Sequence, residues 1–218
     1  MKETEVNKKE KKGTKERIQD VAIDLFSQKG YNAVSIRDIA SLVEIHESTI
    51  YSHYKGKEDI MDSIIDALLD EFKDTSTRIP LTELIDQYSP EKLLKSAITP
   101  MILRMKESPK IRKILRLMLI ELYQNQKFLN FFKNLYIEPS YALFSEVFQL
   151  MMDKGLIKEY NPEIISREFF NFSIYLLFEA FILNYDEDSQ EQMIDNILNK
   201  LYLHIKFIFD MLRVENPK

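Results

Sequence analysis

Seven prolines and four glycines among 218 residues leave this chain few places to turn sharply. The positions of the prolines say more than their number. Ser89-Pro90, Ser108-Pro109 and Asn161-Pro162 each place proline at the first helical position of an amphipathic run. Glu138-Pro139 reads as a fourth such start. An all-β chain needs turn chemistry about every 8 to 12 residues, which this composition does not supply. The expected fold class is all-α, long helices on short connections, and 45% hydrophobic content is enough for one sizeable core or two modest ones.

From Lys15, the apolar residues Ile18, Val21, Ala22, Leu25 and Phe26 define the stripe of a first helix that stops at Gly30. Ser35 with Asp38 makes a shortened capping box ahead of Ile36, Ile39, Ala40 and Val43, a short second helix. A third runs from about Glu47 to Tyr54 on the anchor Ile50. A fourth opens with Glu58 and Asp59, acids where the helix dipole favours them, and lines up Ile60, Ile64, Leu68 and Phe72. Beyond Pro80 come amphipathic helices, with a kink expected at Pro100, a stop at Gly155 and a last helix from about Ser189 to Leu212. The segment Phe169 to Leu183 carries one charge, Glu179, but is shorter than the roughly 20 apolar residues of a membrane span, so it reads as a buried helix. The Lys- and Glu-rich first residues have no apolar core of the signal-peptide kind, and there is no cysteine, which together imply a cytoplasmic protein.

Three short helices, the second and third tightly joined and the third exposing polar and aromatic groups, are the layout of a helix-turn-helix. The run SIRDIASLVEIHESTIYSHYKGKEDIM, with LFSQKGYNAVSI before it, resembles the DNA-binding domain of the TetR family of bacterial transcriptional regulators over about residues 14 to 60. The Lys- and Glu-rich start, which has no periodicity, reads as a mobile basic arm at 1–13, and the resemblance implies a DNA-binding domain at 14–58 and a ligand-binding and dimerisation domain at 59–218. It implies phosphate contacts from Ser35, Arg37, His53, Tyr54 and Lys57, and groove-facing roles for Glu47, Ser48, Thr49, Tyr51 and Ser52. Hydroxyl, imidazole and ammonium groups are the donors such contacts use. Tyr54 has a second reading, its ring packed in the bundle with only the hydroxyl outward. The chain departs from the family pattern at Glu44, where the turn usually has Gly, and at His46 and Glu47. Charge is uneven in the matching sense: residues 1–57 hold 11 Lys+Arg against 9 Asp+Glu, net +2, and the rest hold 19 against 26, net −7.

The resemblance also implies a homodimer that binds a palindromic operator, most simply as a repressor, and that a small, largely apolar ligand releases. Candidate pocket residues are Met101, Met105, Met118, Tyr123, Phe128, Phe132, Phe172 and Tyr175, a set that fits an ordinary core equally. Arg104, Arg112 and Arg116 suit either an anionic ligand or plain surface charge. The dimer interface is expected at Phe148, Met152, Phe172, Leu176 and Phe181, because Phe169 to Leu183 is apolar on nearly all sides. No metal site is expected: His46 and His53 are seven apart, not four, and no Cys cluster or HExxH run accompanies them. Nothing nominates catalytic residues or a cofactor. The competing reading is a helical interaction module without DNA-binding activity.

Overall fold

The computed structural model describes residues 12–75, 84–186 and 188–214. Among them the chain is helical throughout, in two compact units that divide between Asp66 and Ala67. The division falls within the fourth helix, eight residues beyond the boundary expected at its start.

The first unit holds α1 (Thr14–Lys29), α2 (Ile36–Val43), α3 (Glu47–His53) and the opening half of α4 (Lys57–Thr75). Gly30 ends α1 at φ 78°, ψ 157°, its amide reaching the carbonyl of Phe26. The capping box at α2 forms in full: the Ser35 hydroxyl accepts from the Asp38 amide and the Asp38 carboxylate accepts from the Ser35 amide. The Ser35 hydroxyl also donates to that carboxylate, at 2.6 Å, and this bond, with the one from the Ser35 amide at 2.8 Å, holds the Asp38 carboxyl below its ordinary range. Glu44 does take the left-handed conformation, φ 60° and ψ 50°, at a cost of about 1 kcal/mol that Gly would avoid. The core joins Ile18, Ala22, Ile23 and Phe26 of α1 to Ile39, Val43, Ile50, Ile60 and Ile64. Val21 is only half-buried and Ile23 replaces it inside, so α1 is covered on more of its circumference than one stripe.

In the second unit α4 continues with Leu68 buried. The Phe72 side chain and Pro80 lie outside the described residues. There follow α5 (Pro90–Glu107), α6 (Pro109–Glu121), α7 (Gln126–Phe131), α8 (Glu138–Asp153), α9 (Pro162–Phe178) and α10 (Gln190–Leu212). Pro90, Pro109 and Pro162 stand at the first helical positions as expected, and Ser89, Ser108 and Asn161 before them cap their helices through the side chain. Glu138-Pro139 does not begin a helix from a loop. A π-helical turn, Phe132–Ile137, joins α7 to α8, and the Glu138 amide already reaches back five residues to Lys133, so the chain is helical before the proline arrives. α5 continues through Pro100. Gly155, at φ 66°, closes α8 with its amide on the Met152 carbonyl. A second π-helical turn, Glu179–Leu183, ends α9. The core between α8, α9 and α10 is aromatic: Phe144 and Phe148 meet Phe169 edge-on, and Phe169 faces His204. No helix among the described residues is long and apolar enough to cross a membrane.

Candidate nucleic-acid interface

The third helix is a two-turn element that cannot stand on its own hydrogen bonds, so its placement depends on what it buries. Ile50 is fully enclosed, and Tyr54, the residue that ends the helix, is enclosed with it. The Tyr54 hydroxyl donates to the carbonyl of Lys15 at 3.3 Å, the Lys15 ammonium stands 5.3 Å from its ring, and burial pushes its pKa up. Tyr54 is therefore an anchor of the bundle, which removes it from the phosphate candidates. With those two residues inward, Glu47, Ser48, Tyr51, Ser52 and His53 all stand on the surface, Tyr51 at 56% exposure, while Thr49 is half-buried. Ser52 donates its hydroxyl to the Thr49 carbonyl at 2.7 Å. The helix thus presents hydroxyl, phenol, imidazole and carboxylate groups from one exposed face, a set that can donate to phosphate oxygens and meet base edges.

Of the remaining phosphate candidates, Ser35 and Arg37 are exposed at the start of α2. Lys57 is placed differently from what its sequence position suggests. Its ammonium donates to the Tyr31 carbonyl at 2.8 Å and to the Val34 carbonyl at 2.7 Å, and sits 4.1 Å over the Tyr31 ring. Tyr31 in turn packs edge-on against Phe26 at 5.3 Å. Lys57 ties the connection between α1 and α2 to the first turn of α4, and its first role is to position the bundle rather than to reach outward.

Two further positioning residues were not legible beforehand. Arg17 donates through Nη2 to the Val43 carbonyl at 2.6 Å, holding the end of α2 beside the strained Glu44 turn. Gln19 reaches the Ser63 carbonyl at 2.9 Å and its hydroxyl at 3.1 Å, joining α1 to α4. Both are polar residues beside an apolar stripe, a pattern shared with every solvated helix face.

In the second unit the pocket candidates scatter. Met105, Met118, Phe128 and Phe132 are buried in the core, Met101 and Phe172 are half-buried, Tyr175 is exposed and Tyr123 is 98% exposed. A cavity of about 410 Å³ between α8 and α9 is lined by Glu138, Tyr141, Glu146, Glu163 and Arg167 among others, and one of about 170 Å³ beside the start of α10 by Glu179, Asn184, Gln192, Asn196 and Lys200 among others. Neither holds any of the eight. Helical spacing separates inward from outward residues but not packed ones from cavity-lining ones. The three arginines are structural: Arg104 pairs with Glu71, Arg112 donates to the Met105 and Lys106 carbonyls at 2.7 and 2.8 Å, and Arg116 donates to the Phe181 carbonyl and stacks 3.6 Å from the Tyr185 ring. The dimer candidates also need correcting. Phe148, Met152, Leu176 and Phe181 are enclosed within the protomer, because α8 and α10 cover the inner side of α9; Phe172 alone is partly open.

Residues 18–64 match the family model described as bacterial regulatory proteins, tetR family. Over 61 residues the chain is 34% identical to the HTH-type transcriptional repressor KstR2 of Rhodococcus jostii, covering 28% of this chain and 30% of that protein. Over 60 residues it is 38% identical to IcaR of Staphylococcus epidermidis, a negative regulator of the biofilm operon icaADBC, covering 28% and 32%. The chain thus matches less than a third of the length of these curated relatives. The fold reaches further: AibR, solved in complex with isovaleryl coenzyme A and operator DNA, superposes with a TM-score of 0.59 over 87% of this chain and 98% of its own, at 18% identity. Residues 18–64 are thus similar in sequence to the DNA-binding domain of the tetR family of bacterial regulatory proteins, and the chain shares the fold of AibR over most of its length.

Proposed function

We propose that the protein is a cytoplasmic DNA-binding transcriptional repressor that binds a palindromic operator as a homodimer and is released by a small, largely apolar ligand. The observation that carries this is α3: a short helix pinned by Ile50 and Tyr54 that turns Glu47, Ser48, Tyr51, Ser52 and His53 to solvent together. A module that merely packed its first three helices has no need of such a face. The names of KstR2 and IcaR, a repressor and a negative regulator, support the sign of regulation. Residues 14–58 are the DNA-binding domain in this reading. Ser35, Arg37 and His53 reach phosphates, and Glu47, Ser48, Thr49, Tyr51 and Ser52 face the groove.

The homodimer forms through the outer sides of α9 and α10. On α10, Leu203, Phe207 and Met211 recur every four residues and are each more than half exposed; on α9, Tyr175 and Phe178 are exposed alongside. Two-fold symmetry of such a face matches operator half-sites about 34 to 36 Å apart, or a multiple of that. The ligand acts by favouring one conformation of the dimer, so by linkage DNA weakens ligand binding by the same factor that ligand weakens DNA binding. The test is anisotropy with duplex DNA across a salt series: a log–log slope of several units supports the reading. Binding that is absent, or indifferent to salt, leaves the interaction module as the better account.

A further inference from the structure

The imidazole of His204, on α10, lies within a stack of aromatic rings: Phe172 at 4.2 Å and Phe169 at 6.3 Å, both on α9, and Phe207 one turn along α10 at 6.4 Å. Its Nε2 is buried and has no hydrogen-bond partner. Glu168 of α9 supplies both a backbone carbonyl and a carboxylate near the ring. Lys200, one turn earlier on α10, is ion-paired to Glu179 at 2.5 Å, and Lys206 and Asp210 are exposed. α5, the other helix packed on α10, brings Lys95 to the Tyr202 ring and Lys106 to Asp195, positions on the far side of α10 from residue 204. Behind α9, α8 presents Phe144 and Phe148 to Phe169.

We propose that His204 is an acid-sensitive latch of the homodimer: its protonation breaks the aromatic stack beneath Leu203, Phe207 and Met211 and separates the protomers. This rests on the homodimer reading given above. A protonated ring places a second N–H and a charge where no acceptor stands, and such a group is costly to leave buried. Swinging the ring outward removes that cost and takes with it the support of Phe172 and Phe207, the latter part of the exposed face. Burial lowers the His204 pKa from its ordinary 6.5, and the Glu168 carbonyl and charge oppose this without reversing it. The sign follows. Folding and pairing favour the neutral ring, so the stabilisation is complete above about pH 6.5 and is lost as pH falls through the lowered value. The separated chains bind more protons, at two sites per dimer, so acid dissociates the pair.

The experiment is analytical ultracentrifugation of the full chain at about pH 8 and about pH 5.5, with His204→Phe and His204→Gln alongside. The wild-type dissociation constant is expected to rise on the order of tenfold in acid, and both variants, which cannot titrate, to show no such rise. The Phe variant keeps the stack; if it fails to fold, the Gln variant carries the comparison. The imidazole resonance of His204 should titrate in step with dissociation. A wild-type dimer as tight in acid as at pH 8, or variants that weaken equally, overturns the latch and leaves the homodimer standing. A wild-type monomer at pH 8 overturns the homodimer and the latch together.

Discussion

Replacing Lys57 with Met separates two roles that sequence position alone confuses. The ammonium makes two charge-assisted bonds, to the Tyr31 and Val34 carbonyls, and lies over the Tyr31 ring. Bonds of this type contribute about 1.5 to 3 kcal/mol each when sheltered, and an exposed cation–π contact about 0.5 to 1 kcal/mol. Lys57 is half-buried, so water replaces part of what is lost and the total falls below the sum of the low ends, to about 2 to 3 kcal/mol for the three contacts together. In a chain of this length that lowers the thermal midpoint by about 4 to 12 °C. Met retains an unbranched apolar stem of similar length, so the loss isolates the charge.

The DNA assay supplies the other half. A residue that positions the bundle weakens binding to every duplex by misplacing α2 and α3, while the number of phosphates neutralised stays the same and the salt slope is unchanged. A residue that contacts phosphate lowers the slope by roughly one unit and leaves the free protein as stable as before. Calorimetry of the unbound protein and anisotropy on a mixed-sequence duplex over a range of salt read both quantities. The expected result is a lower midpoint with an unchanged slope. A slope reduced by one with an unchanged midpoint refutes the reasoning and restores Lys57 to the backbone contacts.

Glu44→Gly relieves the left-handed strain of about 1 kcal/mol but gives back about 0.5 to 1 kcal/mol in chain entropy, so its urea midpoint should move by less than that of Glu44→Val, which destabilises clearly. Tyr54→Phe removes the 3.3 Å hydroxyl bond to the Lys15 carbonyl and the hydroxyl's interaction with Ser63, and should cost about 0.5 to 1.5 kcal/mol with DNA affinity nearly intact; a large loss of affinity with unchanged stability would return Tyr54 to the phosphate set. Phe207→Glu should give folded monomers in the ultracentrifuge, whereas Phe148→Glu, at a fully enclosed position, should fail to fold. Glu47→Ala should change base preference at one operator position by about 1 to 3 kcal/mol, read by selection from a randomised library.

The parts of the fold that the sequence declared were those governed by local chemistry. The Ser35–Asp38 capping box and the prolines at 90, 109 and 162 are short-range devices that act within three residues, and the structure forms every one. Glu44 could be named as strained because an αL turn asks for one residue type. The exposed set on α3 was legible for a similar reason: with Ile50 inward, the periodicity of a short helix turns most of the others out. Lys57 and Arg17 were not legible, because their partners are backbone carbonyls 23 to 26 residues away, and every residue carries the same carbonyl whatever its side chain.

Which side of α9 stays open was not legible for the opposite reason. Phe169 to Leu183 is apolar on nearly all sides, and hydrophobicity cannot say which side the protomer uses for itself. The structure assigns the inner side to Phe169, Leu176, Leu177 and Phe181 and leaves Tyr175, Phe178 and Leu183 outside. On α10 the same division sets Leu201, Ile205 and Ile208 against Leu203, Phe207 and Met211. His204 stands at the seam between those two sets, its ring among phenylalanines and its Nε2 enclosed, and a lone histidine on an apolar helix carries no such information in one dimension. What a titratable ring does in this protein therefore depends on which face of α10 is covered, and by what, more than on the identity of the residue.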